Sequence, residues 1–391
     1  MIFLDKPFVS DFLKETIQKN GFPVFQTDVN NELKLEDGLN LLDEASAIQQ
    51  IRNSDTAQLY TNSENSIGWI SQNLSFLNLS HTIDLFKDKA KFRTLIKPMH
   101  PDFFFKEIPL EDLDNLSVDE LPMPFIIKPT TGFFSMGVHK VTDPKEWEQT
   151  KITIRLEMLS AKDLYPVEVL NTTSLIIEQN IEGEEFAIDA YYDAVGEPVI
   201  LNIYKHLFSS DQDVSDRVYI SSKEIIENNL SEFSKYLIEI GKLAELKNFP
   251  VHVEIRRDTE GSLLPIEINP MRFGGLCSTA DMTYFSYGFN PYEYYFSQER
   301  PDWDAILKKK TGLLYSIIVL DNSTGIEGSQ IESFDYELLR SYFNKPLELR
   351  KINFKEYPIF GFLFTETKAE DFSELERILK SNLREFITLH D

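Results

Sequence analysis

The chain has 391 residues and a formal net charge of −25, from 64 Asp and Glu against 39 Lys and Arg. A surface of that sign repels phosphate backbones and anionic headgroups. It argues against a nucleic-acid or membrane-surface partner, while still permitting a nucleotide whose phosphates are neutralised locally. With 42% hydrophobic residues and 30 Phe, the chain is globular and too long for one ordinary core.

The predicted elements begin with a short buried strand at Ile2, Phe3 and Leu4. Ser10 follows as a cap for a helix that buries Phe12, Leu13 and Ile17 and stops at Gly21. Residues 22–26 read as a second strand, 41–52 as a helix and 57–61 as a third strand, which together predict a small parallel sheet with helices on it. The pattern over 81–97 is helical and ends by Pro98. After an acidic, turn-rich stretch at 111–120, residues 125–128 form a strand, 129–137 a turn-rich loop and 138–141 its return. Further strands are read at 175–179, 186–193 and 199–204, with a helix over 230–247. The strands 251–257 and 263–269 flank Asp258, Glu260 and Gly261, the signature of a hairpin. Beyond Pro301, residues 312–320, 358–364 and the amphipathic 372–386 predict a small appended α+β unit without a chemical motif.

The start MIFLDKP reads as a strand rather than as a secretion signal, the single Cys277 excludes an intramolecular disulfide, and no apolar run approaches about 20 residues. These features lead to the expectation of a cytoplasmic protein.

Three segments carry chemistry. In PFIIKPTTGFFSMGV, a strand delivers Lys128 to a loop containing Gly132, Ser135 and Gly137. A lysine held at a strand end is a fixed positive charge for phosphate oxygens, and small residues let backbone N–H groups approach them. The lysine precedes the glycines, so this is not a Walker loop; an ordinary strand and hairpin turn fits the same residues. In SLIIEQNIEGEEFAID, Glu178 and Gln179 end a strand and are suited to an adenine edge, with Glu185 beyond them suited to ribose hydroxyls. A solvated acidic turn is the alternative. In VHVEIRRDTEGSLLPIEINPMRFGG, Glu254 lies on one strand of the hairpin, and Glu267 and Asn269 lie on the other, on one face because the strand period is two. Two carboxylates and an amide oxygen suit Mg²⁺, a hard cation. Arg272, three residues on, is placed to grip a carboxylate or acylphosphate through its planar fork. Arg256, Lys205 and His206 are weaker candidates of that kind, and Arg217 has no fixed direction.

Taken in order, these segments resemble the ATP-grasp superfamily, the group containing D-alanine:D-alanine ligase, biotin carboxylase and many carboxylate-amine ligases. The resemblance covers most of residues 1–300. It implies an α/β, overall α+β, architecture: a Rossmann-like pre-ATP-grasp domain at 1–88, a small lid region at 89–185, a large region with the metal site at 186–300, and a C-terminal α+β unit at 301–391. It further implies that Lys89 and Lys128 contact the ATP phosphates and that the loop with Ser135 and Gly137 covers them. Glu178 and the backbone of Gln179 and Ile181 would meet the base, with Glu185 at the ribose. Glu254, Glu267 and Asn269 would hold Mg²⁺, with Mn²⁺ as an alternative. Arg272 and Lys205 are the implied catalytic residues; Arg256, Arg272 and His206 are the implied substrate contacts. The expected reaction is phosphorylation of a carboxylate by ATP followed by attack of an amine, with small-molecule substrates. The C-terminal unit would cover the cleft or form a homodimer contact. A bicarbonate-dependent carboxylase or carbamoyl-phosphate type enzyme, and a non-catalytic ATP-binding module, are the competing readings.

Overall fold

The computed structural model describes residues 1–27, 38–54, 56–132, 137–161, 171–210 and 216–390. The chain opens with β1 (Ile2–Phe3), α1 (Asp11–Asn20), β2 (Val24–Phe25), β3 (Leu41–Leu42), α2 (Glu44–Arg52) and β4 (Tyr60–Thr61). The four strands pair in parallel in the order β3-β2-β1-β4, as the alternation of strand and helix predicts. Ser10 Oγ accepts the Leu13 N–H at 3.1 Å, and Gly21 closes α1 in the left-handed conformation with φ 62°. Leu41 and Leu42, expected to begin a helix, are instead a strand. The Asp43 side chain accepts the Ser46 N–H and so sets the helix start after them.

The helical stretch expected at 81–97 is two helices. After α3 (Ile67–Asn73), α4 (Leu79–Lys87) ends at Asp88, which is extended at φ −89° and ψ 108°, and α5 (Lys89–Ile96) begins there. The Asp88 carboxylate accepts the N–H groups of Ala90 and Lys91, which fixes Lys89 in the first turn of α5.

A second, four-stranded sheet has the order β5-β8-β6-β7, with β5 (Phe105–Pro109), β6 (Phe125–Pro129), β7 (His139–Val141) and β8 (Ser174–Gln179). It has its own core around Phe125, Trp147 and Ile154, under helix α6 (Trp147–Ala161), which the sequence reading missed, as it missed β5. Gly137 adopts φ 71°, and a Cβ there would stand 2.7 Å from Met158 Cε and 3.1 Å from the Pro129 ring, so the turn between β6 and β7 needs glycine.

The eight-stranded sheet, order β13-β12-β9-β10-β11-β14-β17-β16, dominates the molecule. Its members are β9 (Glu184–Tyr192), β10 (Pro198–Leu207), β11 (Val218–Ser222), β12 (Phe249–Arg257), β13 (Leu263–Pro270), β14 (Leu313–Asp321), β16 (Pro346–Lys351) and β17 (Ile359–Lys368); β15 (Ile331–Phe334) and β18 (Ile387–Leu389) form a separate pair. The stretch 301–391 is therefore not a wholly separate unit: it packs its own core around Phe334, Phe360 and Leu375, yet gives three strands to the large sheet. Helix α7 (Lys223–Leu243) covers one face of that sheet, where Phe233 meets the Phe186 ring edge-on at 5.2 Å and Leu237 O accepts the Tyr192 hydroxyl at 2.8 Å. The β12–β13 hairpin pairs as the turn residues predict.

Candidate functional site

The polar residues of the large sheet gather on the face opposite α7, because alternate residues of a strand point the same way. On β9, β12 and β13 the register sets Glu254 between Ala187 and Glu267, and His252 between Asp189 and Asn269. Arg256 lies opposite Glu185 in the next row. The intervening Ile188, Val253, Ile255 and Ile268 are buried on the other face. The alternation of apolar and polar residues thus builds a core and a polar floor from the same three strands.

Helix α5 and strand β6 bring cations to this floor, and β8 brings the carboxylate Glu178. Lys89 Nζ lies 3.1 Å from Glu267 Oε2 and 3.5 Å from Gly132 O. Lys128 Nζ lies 2.5 Å from Glu178 Oε1, whose other oxygen accepts Arg93 Nε at 2.8 Å. Arg93 also donates to Pro265 O and Ile266 O, tying α5 to the hairpin. Burial alone would raise the Glu178 carboxyl, but Arg93 and Lys128 outweigh it and hold the group at about 2. The two partners respond unequally. Burial lowers the Lys128 ammonium, and Lys89 and Arg93 beside it act against the pull of Glu178.

Glu267 is likewise held at about 2: burial opposes this, and Lys89 and Lys128 prevail. Glu254 behaves in the opposite way. Burial, then the carboxylates of Glu267, Asp216 and Glu185, push it well above the usual carboxylate range. The nearest side-chain nitrogen of a basic residue is His252 Nε2, at 3.8 Å. Each of the other carboxylates in the cluster has a closer partner. Glu64 accepts Arg272 at 2.8 Å and Lys87; Glu185 accepts Arg256 at 2.7 Å and His206 at 3.1 Å. Glu254 and Glu267 keep 26% and 25% of their side-chain surface exposed, so a ligand can reach them, whereas Glu178 keeps 3%.

The residues fit a magnesium ion that shares its ligands. Glu254 faces Glu267 directly across the hairpin, and the Asn269 amide lies 3.1 Å from Glu267 Oε1. Among the described residues no three His, Cys, Asp or Glu side chains are gathered as an all-protein cage. Mg²⁺ commonly takes one or two carboxylates and completes its shell with water and nucleotide phosphates.

The other expected positions divide. Arg272 is at the floor, with its guanidinium on Glu64 and on Phe273 O at 2.9 Å. Glu185 is buried and held low against its burial by His206 and Arg256. The His206 ring stacks on Tyr219 at 4.3 Å. Gln179 is clamped to Phe104: its side-chain oxygen accepts the Phe104 N–H at 2.9 Å and its N–H donates to Phe104 O at 3.1 Å. Ile181 O accepts from Arg256. Gly183, between them and β9, has φ 115°, and a Cβ there would stand 2.0 Å from Arg257 O, so this crossing between the two sheets requires glycine. Lys205 lies toward solvent, paired with Glu184. Arg217 binds Asp321 at 2.5 Å and Ser381 O at 2.7 Å, joining β11 to the C-terminal core. Ser135 lies outside the described residues. Arg93, Glu64, Asp189 and His252 were not singled out from the sequence. Arg93 and Glu64 sit among ordinary charged helix and turn residues, but Asp189 in FAIDAYY, and His252 two residues before Glu254, are polar residues inside apolar strands. A cavity of about 320 Å³ between Phe8, Phe12 and residues 348–351 shares no lining residue with this floor.

Residues 121–280 match the family model of the ATP-grasp domain. The chain carries an ATP-grasp domain. Its fold extends the likeness over the whole length. The L-amino acid ligase from Bacillus licheniformis superposes with a TM-score of 0.71 at 19% identity, covering 100% of this chain and 98% of that one. The N5-carboxyaminoimidazole ribonucleotide synthetase from Thermotoga maritima gives 0.61 at 13% identity, covering 99% and 98%. Biotin carboxylase from Campylobacter jejuni gives 0.61 at 14%, covering 94% and 87%. At these identities the likeness is one of fold. No curated protein matches the sequence. Among the described residues no helix is long and apolar enough to cross a membrane.

Proposed function

We propose that this ATP-grasp protein is an ATP-dependent ligase that activates a small carboxylate, of the amino-acid type, as an acylphosphate and joins it to an amine. The observation that carries the reading is Glu254: a partly exposed carboxylate facing Glu267 across the hairpin with no Lys or Arg group against it among the described residues, whereas Glu64, Glu178, Glu185 and Glu267 each have one. A magnesium ion bound there would neutralise phosphate charge.

The chain's own residues supply the rest. Lys89 and Lys128 leave their carboxylate partners in part to hold phosphate oxygens. The segment 178–185 receives the base and ribose. Arg272 shares its remaining N–H groups with the substrate carboxylate, orienting an oxygen toward the γ-phosphorus. That oxygen takes the phosphoryl group and ADP departs. The amine nitrogen then adds to the acyl carbon, loses a proton, and the C–O bond to phosphate breaks. The products are an amide, ADP and phosphate. The likeness in fold to an L-amino acid ligase supports this choice of substrate class.

The test is ADP and phosphate release from ATP and Mg²⁺ across a panel of amino acids, polyamines and small acids, with mass spectrometry of products. Turnover requiring both an acid and an amine, with the condensed product seen, is expected. Turnover requiring bicarbonate would replace the reading with a carboxylase, and nucleotide binding without turnover would replace it with a binding module.

A further inference from the structure

The row of the large sheet next to Glu254 and Glu267 holds Asp189, His252 and Asn269 side by side. Neither Asp189 nor His252 has a part in the reaction described above. Asp189 is wholly buried. Its Oδ1 lies 2.7 Å from His252 Nδ1 and accepts the Gly274 N–H at 3.0 Å, and its Oδ2 has no partner among the described residues. An ionised carboxylate only accepts hydrogen bonds, so Nδ1 carries the imidazole proton and Nε2 is the ring's remaining edge. That edge points to the floor, 3.8 Å from Glu254 Oε1.

A separation of 3.8 Å is too long for a hydrogen bond. It is the spacing of two donors that share one ion, since groups each about 2.1 Å from a cation stand at most about 4.2 Å apart. A carboxylate behind an imidazole, fixing its tautomer and aiming its other nitrogen at an acidic ligand, is the usual arrangement of a metal-binding histidine. A histidine serving only the core would have Nε2 against apolar atoms or a backbone partner. Here it faces the carboxylate that has no close cation.

Resting on the reading of this face as a metal site, we propose that His252 Nε2 is a donor to its metal ion beside Glu254, with Asp189 as the positioning residue behind it. A nitrogen donor among oxygens makes the site better suited to a first-row transition-metal divalent cation than to Mg²⁺, which keeps to oxygen.

The experiment is calorimetric binding of Mn²⁺ and of Mg²⁺ to the full chain with ADP, together with electron spin-echo spectroscopy of the Mn²⁺ form made with and without ¹⁵N-histidine. The expected result is a histidine-nitrogen coupling in the Mn²⁺ signal that His252→Asn abolishes. That variant should lower Mn²⁺ affinity about 10–100-fold and leave Mg²⁺ affinity within about twofold. Asp189→Asn should weaken Mn²⁺ in the same direction. Absence of any histidine coupling in the unaltered chain, or equal effects on both metals, overturns the assignment; the isotope result stands even if a variant does not fold. Glu254→Gln and Glu267→Gln separate the two levels of inference. If they keep both metals, the metal reading of the face falls. If they lose both while His252→Asn loses neither, only the histidine assignment falls.

Discussion

Glu178 and Glu254 are both strand carboxylates, one on the four-stranded β5-β8-β6-β7 sheet and one on the eight-stranded sheet, and the chain treats them in opposite ways. Glu178, at the end of the small sheet, has Arg93 on one oxygen and Lys128 on the other, and is almost completely buried. Glu254, on the large sheet, stands against Glu267 with no Lys or Arg against it among the described residues and the His252 imidazole 3.8 Å away. A buried charge without a partner is costly to the fold, while a closed ion pair has met that cost within the chain. The first is a strut that joins α5, β6 and β8. The second has no such pairing, and burial with the neighbouring carboxylates raises its carboxyl well above the usual range; on the proposed reading, a bound metal would supply its counter-charge.

The sharpest way to break this contrast is Glu267→Ala. It should reduce turnover by at least about 10²–10³-fold, the range seen when a group that stabilises transition-state charge is removed. Its metal-free melting temperature, followed by calorimetry, should fall less than that of Arg93→Met, because Glu267 has the single Lys89 pair and stands against Glu254. An unchanged rate of ADP release would remove Glu267 from the site. On the strut side, Arg93→Met should cost about 3–5 kcal/mol in chemical denaturation, because it leaves a buried carboxylate half-paired; a loss no larger than that of a surface pair would show that Lys128 suffices alone. Lys128→Ala should weaken ATP binding by about 10–100-fold, the worth of one charge-assisted hydrogen bond, read by titration calorimetry. An unaltered nucleotide affinity would confine Lys128 to the strut.

Acid should separate the two carboxylates more gently. Glu178 is depressed from its ordinary 4.5 to about 2. Its contribution to stability is therefore present above pH 4.5 and is lost as the pH falls toward 2, where the folded state must also take up the proton. Glu178→Gln should flatten that part of the stability profile. Glu254→Gln should not, because the Glu254 carboxyl is raised rather than lowered. The smallest effect is expected from Lys205→Ala. Its partner Glu184 is half exposed, and such pairs contribute about 0–1 kcal/mol, so rate and stability should barely move. A large drop in kcat would bring Lys205 back to the reacting groups.

Much of this floor was legible in the sequence because strand periodicity is strict. Glu267 and Asn269 alternate with Ile266 and Ile268, so their shared face follows from spacing alone, and the turn at Asp258–Gly261 places Glu254 opposite them. Lys128 was legible because it ends an apolar strand. The cations that close the cluster were not. Arg93 reaches Glu178 from 85 residues away, and Glu64 meets Arg272 across 208, and neither pairing leaves a mark in local pattern. The same limit applied to the fold. Asp88 divides a helical pattern that its apolar residues alone present as continuous, and the C-terminal strands read as a separate unit because register between distant strands is invisible in a linear pattern.

The joining of β11 to β14 also bears on how the chain may be divided. Val218–Ser222 pairs on one side with β10 and on the other with Leu314–Ile318. A fragment ending near residue 300 would contain the whole ATP-grasp match yet leave β11 with a row of bare N–H and C=O groups beside buried Val218 and Ile220. An unprotected strand edge of that kind recruits strands from other molecules. The last quarter of the chain therefore acts as the seal on that strand, because β14 takes up the hydrogen-bonding edge that β11 would otherwise expose.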